Sequence, residues 1–186
     1  MSRVWWIALV LAATWPTAAA AQDDRRVDAA GGYASMRDYS GDVGFPRGWF
    51  GAVAVNVARP VAIVGETSGS YKSARGPDVR VFLRIHTAMG GPRVAWRGST
   101  RFTPYAQLLV GVIRIATTYQ LPRQTLSVAQ HYFTIAPGGG VDIPFSRHAA
   151  VRVGGTVRLI RIDSALTGTP TSTYRQLQLI AGVAVR

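Results

Sequence analysis

Residues that could do chemistry are few in this sequence. His148 stands two positions beyond Ser146 and six beyond Asp142, so a nucleophile, a base and a carboxylate share one short stretch, the set that acyl transfer requires. The other histidines, His86 and His131, are remote from that stretch, and no pair of histidines has the spacing of metal ligands. In "GETSGSYKS" a phosphate-loop spacing fails, because Ser70 stands where the second glycine belongs and Tyr71 where the lysine belongs. The same stretch fails as a nucleophile elbow, since Thr67 occupies the serine position. Gly138 to Gly140 have no helix pattern after them, and close packing of extended chain accounts for them better than phosphate binding. The residues therefore predict no catalytic, cofactor or metal site, and Ser146 and His148 fall on a tight connection between two strands.

The elements around these residues read as strands. In "AAVRVGGTVRL" the odd positions carry Ala149, Val151, Val153, Val157 and Leu159, while Arg152, Gly154, Thr156 and Arg158 stand on the even ones. Eight extended segments can be marked between Gly, Pro, Asp and Ser clusters, at about 32–38, 48–57, 61–71, 79–96, 102–116, 130–145, 149–162 and 174–186. The fourth carries a kink at "GGPR", and none has a helical period. In the last segment Leu177, Leu179, Ala181, Val183 and Val185 share one side. In the fourth, Val79, Val81, Leu83 and Ile85 oppose Arg80, Phe82, Arg84 and His86. In the fifth, Arg114 breaks the phase set by Leu108, Val110 and Val112, which suggests a bulge.

Composition narrows the compartment. The first 21 residues have a basic start, an apolar core from Val4 to Trp15 and a small-residue end at Ala19 to Ala21, the layout of a cleaved signal peptide. Cleavage there leaves 20 of the 21 basic residues against 9 acidic ones, and only Lys72 among them is lysine. The positive balance suits anionic lipid headgroups, whereas no charge run or motif for nucleic acid appears. The exported chain has no cysteine for a disulfide framework and no second apolar run long enough for a membrane helix.

The polar faces decide which solvent the apolar faces meet. On a soluble sheet the polar face has room for long charged side chains, but here it is rich in Gly, Ala, Ser, Thr and Gln with arginines between. That mixture fits the cramped bore of a small closed barrel, with the apolar rows turned to hydrocarbon. Open sheet edges are excluded in lipid, so the strands must close on themselves. The expectation is an all-β, eight-stranded antiparallel up-and-down transmembrane β-barrel over residues 31–186, preceded by a flexible segment at 22–30. Glu66 and Asp142 are expected inside, paired with Arg80, Arg84, Arg152 or Arg158 as an interior polar network. Trp49, Tyr71, Trp96 and Phe145 lie near strand ends, where interface aromatics belong. "VARPVA" and "FSRHAA" read as tight turns, whereas "DYSGDVGFPRG", "YKSARGPD", "TYQLPRQTLSVAQ" and "DSALTGTPTST" read as long polar loops.

With these segments placed, the chain resembles the small outer-membrane β-barrel domain family of Gram-negative cell envelopes, the porin-like, eight-stranded group that includes OmpA-type transmembrane domains. The segments that carry the resemblance include "PRGWFGAVAVNVARPVAIVGETSGSY", "TPYAQLLVGVIR", "APGGGVDIPFS", "AVRVGGTVRLIR" and "YRQLQLIAGVAVR". It implies residence in the outer membrane, a non-enzymatic structural or surface-interaction role, and at most a narrow pore. The implied partners are outer-membrane lipids and lipopolysaccharide, the outer-membrane assembly machinery, and surface ligands reached through external loops. Many such barrels present a terminal aromatic residue to that machinery, and the outward register of the last strand would place it just beyond Arg186. Two other readings stand beside this one: a soluble lipocalin-like carrier, and a lipid-modifying outer-membrane enzyme, whose H-x-S-N pattern the sequence lacks.

Overall fold

Alternation of β-branched and small residues carries almost every described stretch into strand. The computed structural model describes residues 27–39, 43–58, 60–77, 79–96, 101–122, 124–162 and 172–186. The signal-peptide stretch and most of the segment at 22–30 lie outside them. The strands are β1 (Val27–Asp38), β2 (Val43–Phe45), β3 (Arg47–Ala58), β4 (Val61–Arg75), β5 (Arg80–Ala95), β6 (Thr103–Leu121), β7 (Gln124–Pro144), β8 (Ala149–Ile162) and β9 (Ser172–Val185).

Every pairing is antiparallel, neighbours in sequence are neighbours in space, and β1 pairs with β9, so eight strands close into a barrel. The short β2 is an addition that pairs only with the far end of β1. Register partners can be followed once round the wall, from Ala29 through Val53, Gly65, Gly90, Val110, Ile135 and Leu159 to Arg175. Arg175 accepts a hydrogen bond from the backbone of Tyr39, so the path returns to β1 ten residues beyond its start. A stagger of this order tilts barrel strands by about 35–45°.

The side chains sort inside-out. Val153 and Leu179 are 46% and 54% exposed on the outer surface, whereas Arg158 in the bore is fully buried. Toward the rim away from the termini the bore is capped by Met36, Phe45, Ile85, Ile113 and Ile160. Midway lie Ala52, Ala54, Val64, Met89, Leu109 and Ala136. Polar layers fill the space between and below.

Several strand limits differ from the sequence reading, each for a physical reason. β1 starts at Val27, within the segment expected to be flexible, because Val27 and Ala29 pair with Val55 and Val53 of β3. The stretch "TYQLPRQTLSVAQ" is not a long loop but the top of a hairpin, with β6 and β7 paired up to Leu121 and Gln124. Its polar residues reflect a sheet with water on both faces. "YKSARGPD" likewise continues β4 to Arg75, and Gly76 N donates to Val79 O at 2.8 Å across a short turn. "GGPR" does not shift the register: the β5–β6 ladder skips Gly91 and Pro92, which has no N–H to give, and resumes in step at Arg93. No bulge occurs at Arg114, which pairs in step with His86 and His131 and faces outward like Val112. The irregularity lies between Asn56 and Ala58, beside the tight turn at Pro60.

Gly140 and Gly154 are register partners, and both face the bore beside Tyr105. A Cβ on Gly154 would lie 2.6 Å from the Tyr105 hydroxyl and 2.9 Å from the Gly139 carbonyl oxygen, and one on Gly140 would lie 2.7 Å from the same hydroxyl. The ring therefore occupies a notch that only glycine leaves open. Gly154→Ala is expected to lower stability by about 1–3 kcal/mol through overpacking; denaturant unfolding in detergent would read the loss, and an unaltered midpoint would refute the notch.

Candidate functional site

The polar bore is the densest constellation of chemically capable side chains. Near the termini Arg152 on β8 faces its register partner Asp142 on β7. Arg152 Nε donates to Asp142 Oδ1 at 2.7 Å and its Nη2 to Oδ2 at 2.8 Å, a bidentate fork that fixes both side chains. Arg186 Nη2 reaches the same Oδ2 at 2.8 Å. One layer deeper, Arg93 donates through Nε and Nη2 to Gln107 Oε1 at 2.9 and 2.6 Å. Gln107 Nε2 in turn donates to Glu66 Oε2 at 3.4 Å. The Tyr105 ring lies between the two guanidinium groups, its centroid 4.6 Å from that of Arg93 and 5.1 Å from that of Arg152. Such cation–π contacts stabilise cations that cannot reach water.

Further toward the apolar cap, Arg158 Nη2 donates to Ser68 Oγ at 2.8 Å, to Thr87 Oγ1 at 3.4 Å and to Gln178 Oε1. Ser68 and Thr87 share a hydrogen bond of 2.6 Å. The buried charges among the described residues balance: Asp28, Glu66 and Asp142 against Arg93, Arg152 and Arg158.

Glu66, Asp142, Arg152 and Arg158 thus lie in the bore, but Glu66 meets an arginine only through Gln107. Arg80 and Arg84 do not join them; both are exposed on the outer surface, which corrects the expectation of interior pairing. The cause is the fourth segment's parity. The apolar row holding Leu83 and Ile85 caps the bore instead of facing lipid, and it continues through Thr87 and Met89 to Arg93. Arg93 was therefore missed. Alternation sets Gln107 and Gln178 opposite the apolar rows of their strands, as the bore requires, although neither was singled out for the network, and Tyr105 required the β6–β7 register.

The remaining residues sit on the outer surface. Trp49 and Tyr71 lie toward the rim away from the termini, and Trp96 and Phe145 at the opposite end, all exposed. The Asp142, Ser146 and His148 set does not converge. Ser146 Oγ accepts from the backbone N–H groups of His148 and Ala149 at 3.2 and 3.0 Å, and Asp142 is held by Arg152 and Arg186. No group of three or more metal-ligating side chains occurs among the described residues.

Glu66→Gln removes one of the three buried negative charges that balance the bore arginines and is expected to lower stability by about 1–3 kcal/mol. Equal unfolding midpoints for the variant and wild type in detergent would show that the carboxylate's charge is immaterial.

No protein-family model and no curated protein matches the sequence. Solved structures do. The chain is similar to Ail, the attachment invasion locus protein of Yersinia pestis, solved with the heparin analogue sucrose octasulfate, with TM-score 0.62 and 12% identity over 86% of this chain and 96% of that one. It is similar to Neisserial surface protein A with TM-score 0.60 and 14% identity, over 86% of this chain and 94% of that one. These likenesses show the fold, an eight-stranded barrel of the outer-membrane type.

Proposed function

We propose that this chain is an exported, non-enzymatic barrel of the outer membrane, its bore closed by side chains and its far rim presented to the cell surface. The observation that carries the reading is the inversion of polarity: a charge-balanced set of buried arginines and carboxylates inside, and exposed valine and leucine rows outside. A soluble carrier needs the opposite arrangement, with an apolar cavity and a wet exterior. Arg158 on β8 reaches across the bore to Ser68 on β4 beneath an apolar cap, and Arg152 forks onto Asp142 of the adjacent strand beside the Tyr105 ring, which supports a bore without a wide water path. Glu66 Oε1 and Arg93 Nη1, and in the next layer Arg158 Nε and Gln178 Nε2, have no protein partner among the described residues, so both layers leave polar atoms for single waters.

The test is extraction that depends on detergent, together with heat-modifiable gel migration. Release as a soluble monomer without detergent would overturn the reading. In planar bilayers the expected record is silence or narrow, infrequent steps, and a steady wide-pore conductance would contradict the closed bore. The lipid A mass spectrum of cells should be the same with and without the gene; a difference would favour a lipid-modifying enzyme.

A further inference from the structure

Followed toward the rim away from the termini, the outward rows end on exposed cations: Arg37 on β1, Arg47 on β3, Arg84 on β5, Arg114 on β6, Arg161 on β8 and Arg175 on β9. Three stand on one flank, on β3, β5 and β6, and three on the other, on β8, β9 and β1. Register sets Arg47 beside Tyr71 and Tyr71 beside Arg84. One row nearer the apolar belt it sets Trp49, Gly69, His86 and Arg114 in line. A cleft of about 250 Å³ opens here, lined by Arg47, Lys72 and Arg84 with Tyr71 and Phe82, and no carboxylate lines it.

The floor of the cleft is fixed. Trp49 Nε1 donates to Tyr71 Oη at 3.1 Å, and Tyr71 Oη is 3.2 Å from His86 Nε2, with the Tyr71 and His86 rings edge to face at 5.6 Å. Trp49 lies over Gly69, where a Cβ would meet the indole nitrogen at 2.5 Å, so this glycine lets the aromatic pair form. Arg47 and Arg84 flank Tyr71 two strands apart, about 10 Å between backbones. Two guanidinium side chains can close on one phosphate across that distance, and neither has an ion-pair or hydrogen-bond partner among the described residues.

Below the cleft the outer face becomes shallow. Its outward positions directly beneath are Gly51, Thr67 and Ala88, then Gly65 and Gly90, with Val53 and Ile63 bounding the shallow strip on the side toward the termini. A Cβ on Gly65 would meet nothing within 4 Å, and one on Gly51 only the Thr67 methyl at 3.9 Å. The opposite flank carries full-sized residues such as Val153, Val157, Leu179 and Val183 at its outward positions. A cationic, aromatic-floored cleft thus opens onto an apolar trough.

We propose that this flank holds one phosphorylated glycolipid of the outer leaflet, its phosphate gripped by Arg47 and Arg84, its sugar against Tyr71 and Trp49, and an acyl chain in the trough. The inference rests on the membrane reading above and adds a specific lipid site to it. Continuity of the cleft with the trough favours a lipid-anchored headgroup over a free phosphosugar.

The test is native mass spectrometry of the barrel refolded in micelles doped with bisphosphorylated lipid A. Wild type is expected to retain one lipid A per barrel, and R47Q/R84Q to lose at least about tenfold in retention. R161Q/R175Q removes the same charge from the other flank and should stay within about twofold of wild type. Gly65→Leu, which fills the trough, should weaken retention of lipid A but not of the deacylated bisphosphorylated disaccharide. Equal losses in both double variants would reduce the site to diffuse attraction and overturn it, as would a disaccharide held as tightly as the lipid, or barrel dimers in place of lipid adducts. Heat-modifiable migration in the same samples separates the two readings. A heat-modifiable wild type that retains no lipid refutes the site alone, whereas a wild type without that migration refutes the membrane reading and the site with it.

Discussion

Asp142→Leu is expected to cost about 3–5 kcal/mol of unfolding free energy, since it leaves the buried Arg152 without its carboxylate. The figure is large because Arg152 is only 2% exposed and cannot turn to water, and Tyr105 offers its ring face but no countercharge. Arg186 loses the same acceptor. The pair itself contributes far less than its breakage costs, because two desolvated ions recover little more than their lost hydration. The double variant Asp142→Leu/Arg152→Met should therefore regain most of the stability. Unfolding curves in detergent for the single and double variants decide the matter, and a single variant as stable as wild type would remove Asp142 from the set that holds the bore together.

Val153→Arg is expected to cost about 2–4 kcal/mol if hydrocarbon surrounds the middle of β8. Val153 pairs with Val141 and Ala181, and its side chain points away from the bore into the apolar belt. Arginine at Arg152 is accommodated one residue away, so the predicted contrast comes from facing and not from depth or strand propensity. Refolding into lipid vesicles would measure the difference. The control is Ala129→Arg on β7, exposed beyond the belt, which should be tolerated. Equal tolerance at both positions would show that the belt meets water.

Much of the architecture was legible because two solvents write on alternate residues. In β8 and β9 the outward row is almost wholly Val, Leu and Ala, and the inward row Arg, Gln, Gly and Thr, so parity alone placed Arg152, Arg158, Val153 and Leu179. β5 was misread at Arg80 and Arg84 because its inward row is also apolar where it caps the bore. A strand with greasy residues inside and cations outside near the rim mimics a strand of opposite facing. The hairpin from Tyr119 to Leu126 was hidden for a related reason: beyond the belt neither face is apolar, so alternation vanishes while backbone pairing continues. Tyr105 and Gln107 form part of the bore through contacts between strands whose register no single segment reveals. The cleft at Arg47 and Arg84 is likewise a product of three strands, and the sequence shows only isolated arginines.

The seam between β1 and β9 joins Ala29 to Val185, residues of the first and the last barrel strand. Synthesis delivers the first of these before every other strand and its partner only after them. Any chain caught before the final strand arrives carries two raw backbone edges, which hydrocarbon does not solvate and which invite pairing with other chains. The strands must therefore stay shielded until the last of them has been made, and the seam then closes as a single late event.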